Sequence, residues 1–258
     1  MSKAITVGLA ALAIVLGLSA IAVHAQSTEG KEKSPMYSYI ANWVIPRAQW
    51  ADMQKSLSAD NSTMDKAIAD GTLVAYGDDT TLVHTIDGET NDDWFSSNSM
   101  AGLMNVLDQL YKSGSATTPV LNSATKHWDE VLEARYYNWK SGTYKGAYTH
   151  VGVYKLKADA PDDAVERLSK NLVAPHLEKL LADGAIVEYE IDTQAVHTST
   201  PGYFLIVYVS QNADGLDKVN ASLEAAFKAN PLGFDAFGSM EDFSAHRDEL
   251  LRTNATWK

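Results

Sequence analysis

The 258-residue chain contains no cysteine. That excludes disulfides, thiolate metal centres, a cysteine nucleophile and a lipidated N-terminal cysteine. Basic residues are scarce: 21 Lys and Arg stand against 33 Asp and Glu, a formal net charge of −12. Nucleic-acid affinity rests on cations that neutralise phosphates, so no nucleic-acid partner is expected. The sequence also lacks a GxSxG elbow, a glycine-rich phosphate loop and a CxxCH haem-attachment motif. These absences remove the serine-hydrolase, nucleotide-cradling and c-type haem readings.

What is present is an ordinary globular composition, 45% hydrophobic. At the N-terminus Lys3 precedes an apolar run from Ala4 to Val23, and Val23-His24-Ala25 places small residues where a signal peptidase cuts. Residues 1 to 25 are expected to be a cleaved export signal, giving a periplasmic or secreted protein; an uncleaved anchor is the alternative. Cleavage removes Lys3 and no acid, so the net charge moves from −12 to −13. Residues 26 to 36, with the polar run Ser27 to Pro35, read as a flexible leader.

The dominant feature is a repeat. ADGTLVAYGDDTTLVHT, from Ala69 to Thr85, returns as ADGAIVEYEIDTQAVHT from Ala182 to Thr198, a shift of 113 residues. Ala69, Asp70, Gly71, Val74, Tyr76, Asp79, Thr80, Val83, His84 and Thr85 meet identical residues. YSYIANWVI from Tyr37 aligns with YTHVGVYKL from Tyr148, and the HWDEVL run at His127 with HRDELL at His246. So long a period means two copies of a domain-sized unit. The copies are placed at 37–140 and 146–258.

Alternation predicts strands at Tyr37–Ile45, near Trp94, at Ile186–Thr198 and at Tyr203–Ser210. Helical spacing predicts helices over Trp50–Ala69 with a break at 58–62, and over Ser99–Tyr111, Asp162–Ala182 and Leu216–Ala229, the last with Val219, Leu223 and Phe227 inward. Asp87-Gly88 reads as a turn, Lys126–Arg135 as a short helix and Tyr136–Trp139 as a short strand. On this element order, the ADG helix caps and the duplication, the chain resembles the dimeric α/β-barrel superfamily. The expected fold is α+β, two tandem ferredoxin-like (β-α-β-β-α-β) repeats pairing within one chain. The resemblance implies a monomer with pseudo-twofold symmetry, with further dimerisation open. Members of that superfamily include cofactor-independent monooxygenases and haem-associated enzymes.

The strand face carrying Tyr37, Tyr39, Trp43, Tyr148, His150 and Tyr154 is expected to look into the barrel, either as a ligand wall or as filling, with Ile40, Val44, Val151 and Val153 against the helices. His84 and His197, identical and identically placed, are catalytic candidates with His150; the competing reading bonds them to Asp79 and Asp192 as turn supports. His127 with Glu130, and His246 with Glu249, would share helix faces, too few ligands to assign a metal. Glu188 and Glu190 read as an exposed strand face. No cofactor is assigned, haem through a histidine such as His176 being the residual option. The expected function is an exported small-molecule-binding protein with its ligand in or beside an aromatic-lined barrel. The alternatives are a monooxygenase-like or haem-associated enzyme and an envelope interaction module.

Overall fold

The structure, a computed structural model, describes residues 30–57, 61–85 and 88–258. The export segment and the Asp87 turn position lie outside the described residues. In the first half, β1 (Met36–Val44) leads to α1 (Trp50–Leu57) and α2 (Ser62–Asp70), then β2 (Ala75–Thr81), β3 (Asn91–Ser97), α3 (Met100–Ser113) and β4 (Lys126–Trp139). In the second, β5 (Gly142–Lys155) leads to α4 (Ala164–Leu168), a π-helical turn and α5 (Ala174–Ala182). There follow β6 (Glu188–Val196), β7 (Tyr203–Ser210), α6 (Ala213–Ala229), α7 (Pro231–Met240) and β8 (Arg247–Trp257). These eight strands close into one antiparallel barrel in the order β1-β3-β2-β8-β5-β7-β6-β4. The halves join where β2 meets β8 and β6 meets β4, so neither has an open edge.

The repeat shows itself as repeated joints. Gly71 and Gly184 both take positive φ, 85° and 74°, just after α2 and α5, where a Cβ would be strained. Ser99 and Asn212, 113 residues apart, cap α3 and α6 by accepting from the N–H of Gly102 and Gly215, each at 3.1 Å. Both glycines are required by close approach: an added Cβ would lie 3.2 Å from the Thr72 carbonyl oxygen in one half and 2.5 Å from that of Ala185 in the other. Ser97 and Ser210 donate to those same two carbonyls at 2.7 and 3.1 Å. Ser99→Ala is expected to cost about 1 kcal/mol, read as a fall of roughly 3 °C in melting temperature.

The expected helix over 126–135 is instead the first part of β4, a 14-residue strand. Glu and Leu there favour helix, but β1 on one side and β6 on the other both pair with this segment, and two ladders outweigh local propensity. His127 and Glu130, and likewise His246 and Glu249, therefore point to opposite strand faces and share no ligand. Phe227 is 53% exposed and stacks on Phe234 of α7 at 3.7 Å, so it leaves the inward stripe expected of α6. Residues 30–36, expected within a leader, are tied down: the Gly30 N–H donates to Lys170 O at 2.7 Å and the Lys33 N–H to Arg135 O at 2.8 Å. The Tyr137 hydroxyl donates to Ser34 O at 2.9 Å.

The faces of the sheet are the reverse of those expected. Ser38, Ile40 and Asn42 line the barrel lumen with Thr149, Val151 and Val207, while Tyr39, Ala41 and Trp43 pack outward with Met53 and Leu103. An eight-stranded interior is just wide enough for small and medium side chains. The large rings of β1 therefore go to the deeper interface between sheet and helices, while Trp94 and Trp257 reach the lumen. Glu188 and Glu190, expected on an exposed face, point into the lumen.

Candidate functional site

A cleft of about 450 Å³ lies between the outer face of the first-half sheet and helices α1 to α3. Its apolar wall is built from alternating residues of the strands, Tyr39, Trp43 and Phe95, and from Met64, Leu107 and Leu110 of the helices. Alternation supplies one ring every second residue, and the stripes of α2 and α3 face them. Tyr39 stacks on Phe95 with centroids 5.2 Å apart, and Trp43 lies on the His127 ring at 3.7 Å.

Polar groups stand at defined places in this wall. Asp78 and Asp93 face each other across β2 and β3. Burial, reinforced by Asp78 and Asp79, pushes the Asp93 carboxyl up to about 7. Burial also lifts Asp78 to about 6, against the opposing pull of the Asn254 amide, which donates to it at 2.9 Å. Burial holds the Tyr39 hydroxyl well above its ordinary value. The cleft thus carries carboxyl groups that exchange a proton near neutrality. His127 is oriented by its own strand neighbours, its Nδ1 donating to Asn42 O at 2.9 Å and its Nε2 lying 3.3 Å from Asp129 Oδ1. The Trp43 indole N–H is buried beside the Asp93 carboxyl and opposes the upward push of burial on it.

The second half repeats the plan and fills it. Tyr154 stacks on His246 at 4.5 Å, and His246 lies near Asp248 as His127 lies near Asp129. Phe204 and Phe237 close on Tyr154 with centroids 5.3 Å away in each case. The His-x-Asp pairs are thus on strands with both side chains on one face, a period-2 signal the sequence carries at 127–129 and 246–248.

The sequence candidates scatter. Tyr39 and Trp43 line the first cleft, and Tyr37 packs at its border. His150 lies in the second half, its ring 4.8 Å from Tyr208 and its Nε2 3.4 Å from Asp248. Burial lowers its pKa, and its Nδ1 has no partner among the described residues. Tyr154, further along β5, stacks on Phe204 and His246 in the packed aromatic layer, and Tyr148 lies under the Arg252 guanidinium at 4.1 Å. His84 is exposed and stacks on Trp50 at 5.0 Å, and His197 is exposed; neither lines the cleft. Nor do they brace Asp79 or Asp192, whose carboxylates point into the lumen. Asp78 and Asp93 are the site groups that sequence reading passes over, and His127 enters it only as a helix-face partner of Glu130. The Asp78–Asp93 pair needs the β2–β3 register, which no local pattern supplies.

No protein-family model matches the sequence, and no curated protein matches it. Solved structures do. A "putative monooxygenase" from Lactobacillus acidophilus superimposes with a TM-score of 0.57 at 12% identity, over 87% of this chain and 97% of that one. A "putative monooxygenase" from Fusobacterium nucleatum gives 0.59 at 9% identity, over 88% and 95%. An anthrone oxidase-like protein gives 0.53 at 10% identity, over 88% and 95%. At such identities the likeness is one of fold, the dimeric α/β barrel.

Proposed function

We propose that this dimeric α/β-barrel chain is an exported protein that binds a small, flat organic molecule in the first-half cleft, beside the barrel rather than within it. The observation that carries the reading is an aromatic cleft of about 450 Å³ in which the buried Trp43 N–H stands beside the Asp93 carboxyl, a convergent donor and acceptor in a largely apolar wall. Each half is read as a ferredoxin-like repeat, so the pairing found between subunits elsewhere is met here inside one chain. The acidic surface suits a protein that stays soluble after export.

A second reading makes the site an oxygenase-like one that needs no cofactor. Asp93, ionising near 7, is placed to take a proton from a phenol or an activated C–H of the bound molecule, and the neighbours named for monooxygenase and anthrone oxidase chemistry support the class. His127 does not offer a free nitrogen to a haem iron in this cleft, because its two nitrogens face Asn42 O and Asp129.

Titration of hydroxylated naphthalenes and anthrone, followed by tryptophan fluorescence, tests the first reading. Trp43→Phe keeps the ring over His127 and removes the N–H beside Asp93 that lines the cleft, so affinity is expected to weaken about 3- to 10-fold. Binding indifferent to that change would place the ligand elsewhere. Oxygen uptake with anthrone that is lost in Asp93→Asn supports catalysis; binding without uptake leaves a carrier.

A further inference from the structure

The barrel lumen is a separate compartment with its own anomaly. Asp79, Asp92, Glu130, Glu188, Glu190, Asp192 and Glu249 line a lumen cavity of about 70 Å³, and among the described residues no Lys, Arg or His lines it. The cation beside this group is Arg247 at the rim, over half exposed, which donates to Glu249 at 2.9 Å. Buried carboxylates need partners, because desolvation without compensation costs several kcal/mol per charge.

The first half shows what a satisfied lumen carboxylate looks like. Asp79 accepts from the Trp94 indole at 3.0 Å and from the Thr253 hydroxyl, which also bonds Thr149. Asp192 is its counterpart in the repeat and has lost those partners. Asp79 sits in register between Asp92 and Thr253, whereas Asp192 sits between Leu205 and Ala134. Asp192 is 0% exposed, and neither of its carboxylate oxygens has a hydrogen-bond partner among the described residues. Glu190 and Glu130 are its charged neighbours, and Glu188 shares its strand face.

We propose that Asp192, Glu188, Glu190 and Glu130 form a binding site for one hard divalent cation of the Ca²⁺, Mg²⁺ or Mn²⁺ class inside the barrel. The donors are all oxygens with no nitrogen or sulfur among them, which suits these ions and disfavours copper and zinc. The cavity has room for an ion and the waters that complete its shell. Among the described residues no three carboxylates already converge on one coordination point. Binding of the ion requires the glutamate side chains to turn toward Asp192. Asp92, Asp79 and Glu249, on β3, β2 and β8, complete a field of one sign that draws the cation in.

Thermal denaturation of the chelator-treated full chain in millimolar Ca²⁺, Mg²⁺ or Mn²⁺ near neutral pH tests this. A melting temperature raised by about 5–10 °C at ~100-fold excess over Kd is expected for at least one ion. Asp192→Asn, which keeps shape and removes the charge, should abolish the rise, and Glu130→Gln should reduce it. Mn²⁺ titration by electron paramagnetic resonance should count one bound ion in the wild type and none in Asp192→Asn. No response to any of the three ions, or the same response in Asp192→Asn, overturns the site and leaves these carboxylates as a store of protons.

Discussion

In chelator, the protein is expected to lose on the order of 10 °C in melting temperature between about pH 5 and about pH 8. Asp79, Asp93, Glu190 and Glu249 are each pushed up to about 7, and burial is the leading cause in all four. Burial likewise raises Asp92, Glu188 and Asp192 well above their ordinary values. In the unfolded chain these carboxyls ionise near 4, so between about 4 and about 7 the folded state binds more protons. Stability is therefore fully present below the unfolded values and is lost as pH rises through 7. Each tenfold difference in proton affinity between the folded and unfolded chain corresponds to about 1.4 kcal/mol, so even two or three such groups amount to several kcal/mol. A chain with net charge −12 also repels itself more as pH rises, but added salt screens surface charges and not buried ones. A fall that persists in high salt identifies the lumen and cleft as its source. A melting temperature that stayed level across this window would contradict the burial of unpaired carboxylates.

Phe204→Ala should be the most damaging single truncation, costing about 3–5 kcal/mol and roughly 10 °C. Phe204 is 1% exposed and lies against Tyr154 at 5.3 Å and Phe237 at 6.4 Å between ring centroids. Its place on β7 corresponds to Asn91 on β3 by register, so the first half has no ring there and keeps its cleft while the second is filled. Removing the ring leaves a cavity that the surrounding β-sheet cannot collapse into. Denaturant unfolding measures the cost, and Phe204→Leu should recover more than half of it. A loss under about 1 kcal/mol for the alanine variant would show that α7 closes over the gap.

The duplication was legible because both copies solve the same joint problems with the same residues. ADG ends a helix twice, and Ser99-x-x-Gly102 returns as Asn212-x-x-Gly215 because each helix start presses on a carbonyl oxygen of the chain. Strand β7 falls at its expected bounds, since Tyr203–Ser210 is an apolar run with a turn before it. Of strand β4 only Tyr136–Trp139 was legible: HWDEVLEAR before it carries helical spacing, and only its pairing with β1 and β6 makes it extended. The aromatic wall was read as a unit from Tyr39 and Trp43, but its acid–base groups, Asp78 and Asp93, come together only through a register.

By itself the sequence determined that there are two like units, where most strands and helices lie, and that one strand face is aromatic and the other small or polar. Alternation has period two and is blind to direction, so it cannot say which face turns inward. Tertiary structure decided that. Closure of eight strands left a narrow lumen, helices took the rings of β1, and the carboxylates of β2, β3, β4, β6 and β8 were gathered where no cation follows them among the described residues.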